Sequence, residues 1–460
     1  MRRSGRLSLA LLGLLAGCNK GSEAPAEAPW RPGTVYASTP GANARGFLDR
    51  RGLIHAHSIY SHDACDGEPV KDGVRDTVCF DDFRRGLCQA RHDFVMLTDH
   101  PESFSATPYP EALLYRADRG DALVERAGAP VASWASCPDG SRALIMAGFE
   151  GGTMSVGLER HALEDEAARD ALYRDVSAET VAAVKAVGGL TVLAHTEDWT
   201  VDELVALPID GFEMYNLHAN SFLSAGTILE MLILSSERPE ALPHPDLIFL
   251  PLFSEDPRYL ERWGSVLARG ARRVTTMGTD CHRNSFPALL PDGERADSYR
   301  RMMLWFSNHL LVRPEADGAW DDRHVKDALQ AGRLYGVFEI LGTPDGFDYF
   351  AEVGGEVAEM GSEVPFASAP QLRITAPTLR NPDPGVPAPK LTVRLLRAKE
   401  GGFEEVVRSA SSLAYSPTGP GVYRAEVRIE PLHLAADLGQ YRLEELADFV
   451  WIYSNPIYVR

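Results

Sequence analysis

Basic residues are scarce in this chain: 46 Lys and Arg stand against 65 Asp and Glu, for a net charge of −19. That balance disfavours a nucleic-acid partner, because phosphate backbones call for clustered Lys and Arg. It does not argue against metal, since bound divalent cations would invert the field of an acidic cleft locally. Cysteine is sparse as well, six residues in 460, and none has Cys-x-x-Cys spacing, so a structural zinc is not expected. Beyond the N-terminal stretch, no run is apolar enough to cross a membrane. With 45% hydrophobic and 24% charged residues, the composition is that of an ordinary globular protein, and the length leaves room for two to four domains.

The first residues read as a targeting segment. Arg2, Arg3 and Arg6 precede an apolar stretch, residues 7–16, that is too short to span a bilayer. Its end, Leu15-Ala16-Gly17-Cys18, resembles the bacterial lipobox, in which the Cys thiol is diacylated and becomes the mature N-terminus. Asn19, not Asp, follows Cys18, which in that sorting rule favours the outer membrane. The expectation is an exported lipoprotein facing the periplasm or the cell surface, with residues 1–18 as signal peptide and membrane attachment through Cys18. Residues 19–45, rich in Ala, Pro, Gly and Glu, suit a flexible spacer. In an oxidising compartment Cys65, Cys79, Cys88 and Cys137 can make two disulfides, whose pairing stays open. Cys281 is expected to be a free, shielded thiol.

From about Gly46 the pattern becomes strand then helix, repeated. Apolar β-type runs lie near 52–57, 94–99, 143–149, 190–195, 211–215, 247–253 and 274–280. Helical stretches separate them, such as 178–187, with Ser177 as N-cap and Gly188 just past its end, and 322–331, closed by Gly332. Continuous buried runs alternating with helices predict parallel strands covered by helices: an α/β fold, a distorted (β/α) barrel over residues 46–345. After about Thr343 the texture changes to short alternating runs punctuated by Pro and Gly, at 371–375, 390–396, 421–429 and 449–453. A separate antiparallel β-sandwich over residues 346–460, structural or docking in role, is predicted there.

Histidines and carboxylates recur where these runs end. His55-Ala56-His57 follows Gly52-Leu53-Ile54, with Asp63 six residues on; Thr98-Asp99-His100 follows Phe94-Val95-Met96-Leu97. Glu150 follows Gly148-Phe149, His195 follows Leu193-Ala194, and Asp280-Cys281-His282 follows Gly278-Thr279. At a strand's end, residues i and i+2 share a face, so both imidazoles of His55 and His57 can reach one cavity. Imidazole and carboxylate together suit Zn, Mn or Fe, and so many ligands converging imply a multinuclear site.

His-x-His followed by Ser-x-x-Ser-x-Asp, then Thr-Asp-His, Gly-x-Glu, Ala-His and Gly-Thr-Asp-x-His resembles the PHP (polymerase and histidinol phosphatase) superfamily. The resemblance covers roughly residues 46–345. It implies a distorted seven-stranded barrel holding two or three divalent ions (Mn, Fe or Zn) through nine ligands: His55, His57, Asp63, His100, Glu150, His161, His195, Asp280 and His282. Glu150 would bridge two cations, and Asp63 is preferred to its neighbour His62. The implied activity is hydrolysis of a small-molecule phosphoester by a hydroxide bridging two metals, with Asp280 and His57 central to it.

Around these ligands, Asp99 is expected to orient His100, and Glu213 and Asn216, at the end of another strand, to lie just behind the metals. Arg283 is a candidate clamp for a phosphate oxygen and His218 a candidate acid for the leaving group. His92, His244, His309, His324 and His433 have no motif context and default to the solvated surface. The amidohydrolase superfamily also opens with His-x-His, but it usually needs a mid-barrel Lys. The one lysine between residues 72 and 325, Lys185, falls on a helical stretch away from strand ends. Two other functions stay open: hydrolysis of a non-phosphate ester or amide, and metal or ligand capture without turnover.

Overall fold

A computed structural model describes residues 27–460 except 224–225, 227–232, 235–236 and 443–447. The targeting segment and Cys18 lie outside the described residues. The fold is mixed α/β, with one large mixed sheet and several antiparallel ones.

Seven strands position the histidines: β1 (Leu48–Ile54), β2 (Phe94–Met96), β3 (Arg142–Glu150), β4 (Met154–Leu158), β5 (Leu190–Leu193), β6 (Gly211–Asn216) and β7 (Val274–Gly278). β1, β2 and β3 pair in parallel, β4 runs antiparallel between β3 and β5, and β5, β6 and β7 pair in parallel again. The chain just past β7 then meets the chain just past β1. His57 donates its N–H to the Cys281 carbonyl at 3.0 Å, and Asp280 donates to the His55 carbonyl at 3.3 Å. Strands β2, β4, β5, β6 and β7 are buried along their whole length. For the parallel strands β2, β5, β6 and β7, that explains why they read as continuous runs and not as alternation.

Local signals hold where the chemistry is local. Ser177 caps the helix Ala178–Ala186 through Thr180 N, and Gly188, past its end, takes φ +78°. Residues 247–253 depart from expectation: they form the short turns Pro245–Leu247 and Leu250–Phe253, not a strand. Pro251 interrupts the run and has no N–H to give a ladder, so the apolar side chains are buried without strand pairing. Its place among the seven is taken by β4, a return strand that periodicity did not signal.

Two further strands extend the sheet, β8 (Ser307–Val312) antiparallel to β1 and β9 (Leu334–Val337) antiparallel to β8. Antiparallel strands follow: β10 (Lys390–Lys399), β11 (Gly402–Ser409), β12 (Gly421–Glu430) and β13 (Phe449–Ser454). A four-stranded antiparallel sheet carries Asp348–Val353 and Gln371–Thr375 at its centre. β13 also pairs with β9, so one ladder runs across residue 345.

Residues 27–45, expected as part of a flexible spacer, are packed against the fold. Trp30 and Tyr36 are buried, Trp30 N–H donates to the Asn381 carbonyl at 2.8 Å, and Arg45 forks onto Asp348 at 2.7 and 2.8 Å. Two aromatic side chains supply the apolar area that the surrounding Ala, Pro and Gly lack. Four cysteines form two disulfides, Cys65–Cys79 and Cys88–Cys137, and Cys281 is free and buried. Among the described residues, no helix is long and apolar enough to cross a membrane.

Candidate metal centre

The ends of β1, β3, β5 and β7 deliver His55, His57, Glu150, His195 and Asp280 to one place. Three of these residues leave their strands in the left-handed region that favours glycine: His55 at φ 92°, His195 at 49° and Asp280 at 54°. Each such conformation costs about 1–3 kcal/mol and persists only where surrounding structure imposes it. The cross-connection between residues 55–57 and 280–281 is what imposes it on two of them.

Within this cluster the histidines share an orientation. His55 Nδ1 donates to Glu213 Oε1 at 2.7 Å, and His57 Nδ1 to Ser61 Oγ at 3.1 Å. His100 Nδ1 donates to the Glu150 carbonyl at 3.0 Å, and His195 Nδ1 to Glu197 Oε1 at 3.3 Å. With Nδ1 committed outward, Nε2 of each ring faces inward toward carboxylate oxygen. His55 and His57 Nε2 lie 3.1 Å from Glu150 Oε2 and 3.3 Å from Asp280 Oδ1. His195 Nε2 lies 3.3 Å from Glu150 Oε1, and His100 Nε2 3.2 Å from Asp63 Oδ2. Glu150 thus turns one oxygen to each of two sets of imidazoles, the disposition expected of a bridging ligand.

Nε2 of His55 and of His57 is buried and has no hydrogen-bond partner. An imidazole lone pair aimed at a carboxylate oxygen needs a proton or a cation between them. Without a cation, protons are held tightly. Burial disfavours the imidazolium, but Asp63, Asp280 and Glu150 overcome it, and His57 is pushed up to about 10. His195 rises to about 11 against the same burial, through Glu150, Glu197 and Asp280. Burial works the other way on Glu150 and Asp280, yet His55 and its neighbours hold both well below the usual carboxylate range. A cluster that draws positive charge this strongly fits a metal, whose binding would displace those protons.

Three groups can each hold an ion, with ligand atoms within 4.8 Å of one another: His55, His57, Glu150 and Asp280; His57, Asp63 and His100; and His218, Asp280 and His282. They line or underlie a cleft of about 1080 Å³ that also carries Arg174 and Arg258. Glu150 and Asp280 line it, and His55 and His57 lie fully buried against them.

Several sequence-derived roles change. His161 does not join the cluster: its Nε2 donates to the Thr107 carbonyl at 2.9 Å, and the ring packs against Phe104 and Tyr109. An aromatic pocket next to a free carbonyl satisfies it where it lies. Arg283 does not line the cleft; its Nε pairs with Asp82 at 3.1 Å, which removes it as a phosphate clamp. Asp99 holds Ser58, accepting from its N–H at 2.6 Å and its hydroxyl at 2.7 Å, and not His100. His62 is more than half exposed and pairs with Glu102, while Asp63 faces the site. Glu213 and Asn216 lie behind the cluster, Glu213 against His55 Nδ1. Glu213 also accepts from the His195 N–H at 3.1 Å and from Asn216 Nδ2 at 3.0 Å.

Glu197 was missed. It accepts from His195 Nδ1 and from the Tyr259 hydroxyl, and its signal was the short spacing to His195 in His195-Thr196-Glu197. His92, His309 and His433, read as surface residues, are buried.

No protein-family model matches this chain, and no curated protein or solved structure matches it either. The centre therefore stands on its own residues: buried His, Glu and Asp groups positioned to hold metal.

Proposed function

We propose that the protein is a metal-dependent hydrolase of phosphate esters, with the strands β1–β7 forming a distorted barrel of the PHP type. The observation that carries this is the convergence of His55, His57, Glu150 and Asp280, with inward-facing Nε2 atoms and shared carboxylates, at the floor of an open cleft. Two or three Mn, Fe or Zn ions would be held there. Bound, they would activate water and offset charge on the phosphoryl oxygens.

The chain's own residues do the rest. Glu213, Ser61 and Glu197 fix the imidazole tautomers, so that the ligands meet a cation already oriented. Arg174 and Arg258, unlike Arg283, line the cleft with side chains about half exposed; an anionic substrate would compete there with their carboxylate partners, Glu102 and Asp170 for Arg174 and Asp256 for Arg258. The two disulfides support an oxidising compartment, in keeping with export and lipid anchoring at Cys18. The C-terminal antiparallel strands are proposed as a β-sandwich with a structural or docking role.

A panel of phosphate mono- and diesters, assayed on metal-loaded protein, tests the activity. Divalent-metal-dependent release of phosphate or of the alcohol is the expected result. Absence of turnover on every phosphoester, with metal confirmed in place, overturns it in favour of a non-phosphate ester or amide.

A further inference from the structure

We propose that His218, Asp280 and His282 hold a cation of their own, and that His218 is a metal ligand in the role that the resemblance implies for His161. The inference rests on the metal-centre reading above and adds to it a ligand, His218, that none of the sequence motifs contains.

Asp280 carries the geometry. Its Oδ1 lies 3.3 Å from Nε2 of both His55 and His57, while its Oδ2 lies 3.1 Å from His218 Nδ1. One carboxylate therefore turns an oxygen toward each of two groups. His282 completes the second group, its ligand atom within 4.8 Å of those of His218 and Asp280: its ring centroid is 5.3 Å from that of His218, and its Nε2 is 3.5 Å from Asp280 Oδ1, the oxygen that also faces His55 and His57. Nδ1 of His282 is buried with no hydrogen-bond partner, so no acceptor commits that ring to one tautomer. Two imidazoles and a carboxylate are the donor set of a mid-row divalent ion such as Zn, Mn or Fe, not of Ca or Mg, which prefer oxygen.

Placement of His218 is coupled to the rest of the centre. It is the second residue of the helix Leu217–Leu223, which begins where β6 ends. Asn216 Oδ1 accepts from the Ala219 N–H at 3.1 Å, and Asn216 Nδ2 donates to Glu213 Oε2. The carboxylate that orients His55 thus also fixes the turn that carries His218. The His218 side chain is 36% exposed, against none for His55 and His57, so the proposed ion sits at the open side of the cleft and should exchange first.

Elemental analysis of full-length protein, expressed with Mn or Zn and freed of loose metal by gel filtration, tests this. His218→Ala should lose one equivalent relative to wild type, and His161→Ala none. A His218→Cys variant loaded with Co(II) should gain a thiolate-to-cobalt charge-transfer band absent from wild type and from His161→Cys, which decides the matter if the Ala variant fails to fold. A full wild-type complement in His218→Ala, or no new band in His218→Cys, overturns the assignment. Wild type holding less than one equivalent would overturn the metal centre itself, a different failure from an unaffected His218 variant.

Discussion

His55 Nδ1 and Glu213 Oε1 lie 2.7 Å apart, and neither side chain is exposed to solvent. That bond fixes which nitrogen of His55 faces the cleft. Glu213→Gln should therefore lower metal affinity by roughly ten- to a hundredfold, the usual effect of removing an outer partner of a ligating histidine. Gly278→Ala should act in the same direction, because a Cβ there would overlap Glu213 Oε1. Competition against a fluorescent chelator measures both; unchanged affinity in the Gln variant would leave Glu213 a purely structural residue.

Asp280→Ala and His57→Ala each remove a group that faces two of the proposed cations. Losses in kcat on the order of a thousandfold are expected with the fold retained, comparable to deleting other electrostatic elements of an active site. Arg283→Ala, by contrast, should leave KM for a phosphoester unchanged, since that guanidinium is spent on Asp82. Wild-type turnover in the Asp280 variant would assign the activity to a contaminant.

His309 gives the fold a pH dependence away from the metal centre. It is buried, with Nδ1 3.0 Å from Asp49 Oδ1 and Nε2 3.1 Å from Glu339 Oε1. Burial disfavours its charge, but the two carboxylates push it up to about 9. A histidine raised in the folded state stabilises fully below its ordinary value of about 6.5, and that contribution is lost as pH rises through about 9. It amounts to on the order of 3 kcal/mol. Urea unfolding at about pH 6 and about pH 10 should show wild type well above His309→Gln at the lower pH, with the gap closing at the higher. A pH-independent gap would show that His309 stays neutral.

Cys18→Ser should release the protein from the membrane fraction, because acyl chains are the proposed attachment. Sedimentation of the Ser variant with membranes in high salt would exclude the lipobox.

Much of the centre was legible in the chain because strand ends are marked locally. Most of the buried strands read as continuous apolar runs, with a candidate ligand at or just past the end, as with His55 after Ile54 and His195 after Leu193. A helix such as Ala178–Ala186 declares its own limits through Ser177 and Gly188 for the same reason: cap and turn chemistry act within a few residues. The strand expected over 247–253 failed because an apolar run only says that its residues are buried, not whether they are paired.

By itself, then, the sequence determined the ligand types and their order, since a metal's preference for imidazole and carboxylate is a property of the side chains alone. Tertiary structure decided which of those side chains meet. It set His161 against Thr107 and Tyr109, turned Arg283 onto Asp82, placed His218 beside Asp280, and brought Glu197 to a centre that spacing had not assigned it. The physical reason is range: a strand's end fixes where a side chain starts. Whether it reaches the cleft depends on partners tens to hundreds of residues away, and only packing brings those partners within hydrogen-bond distance.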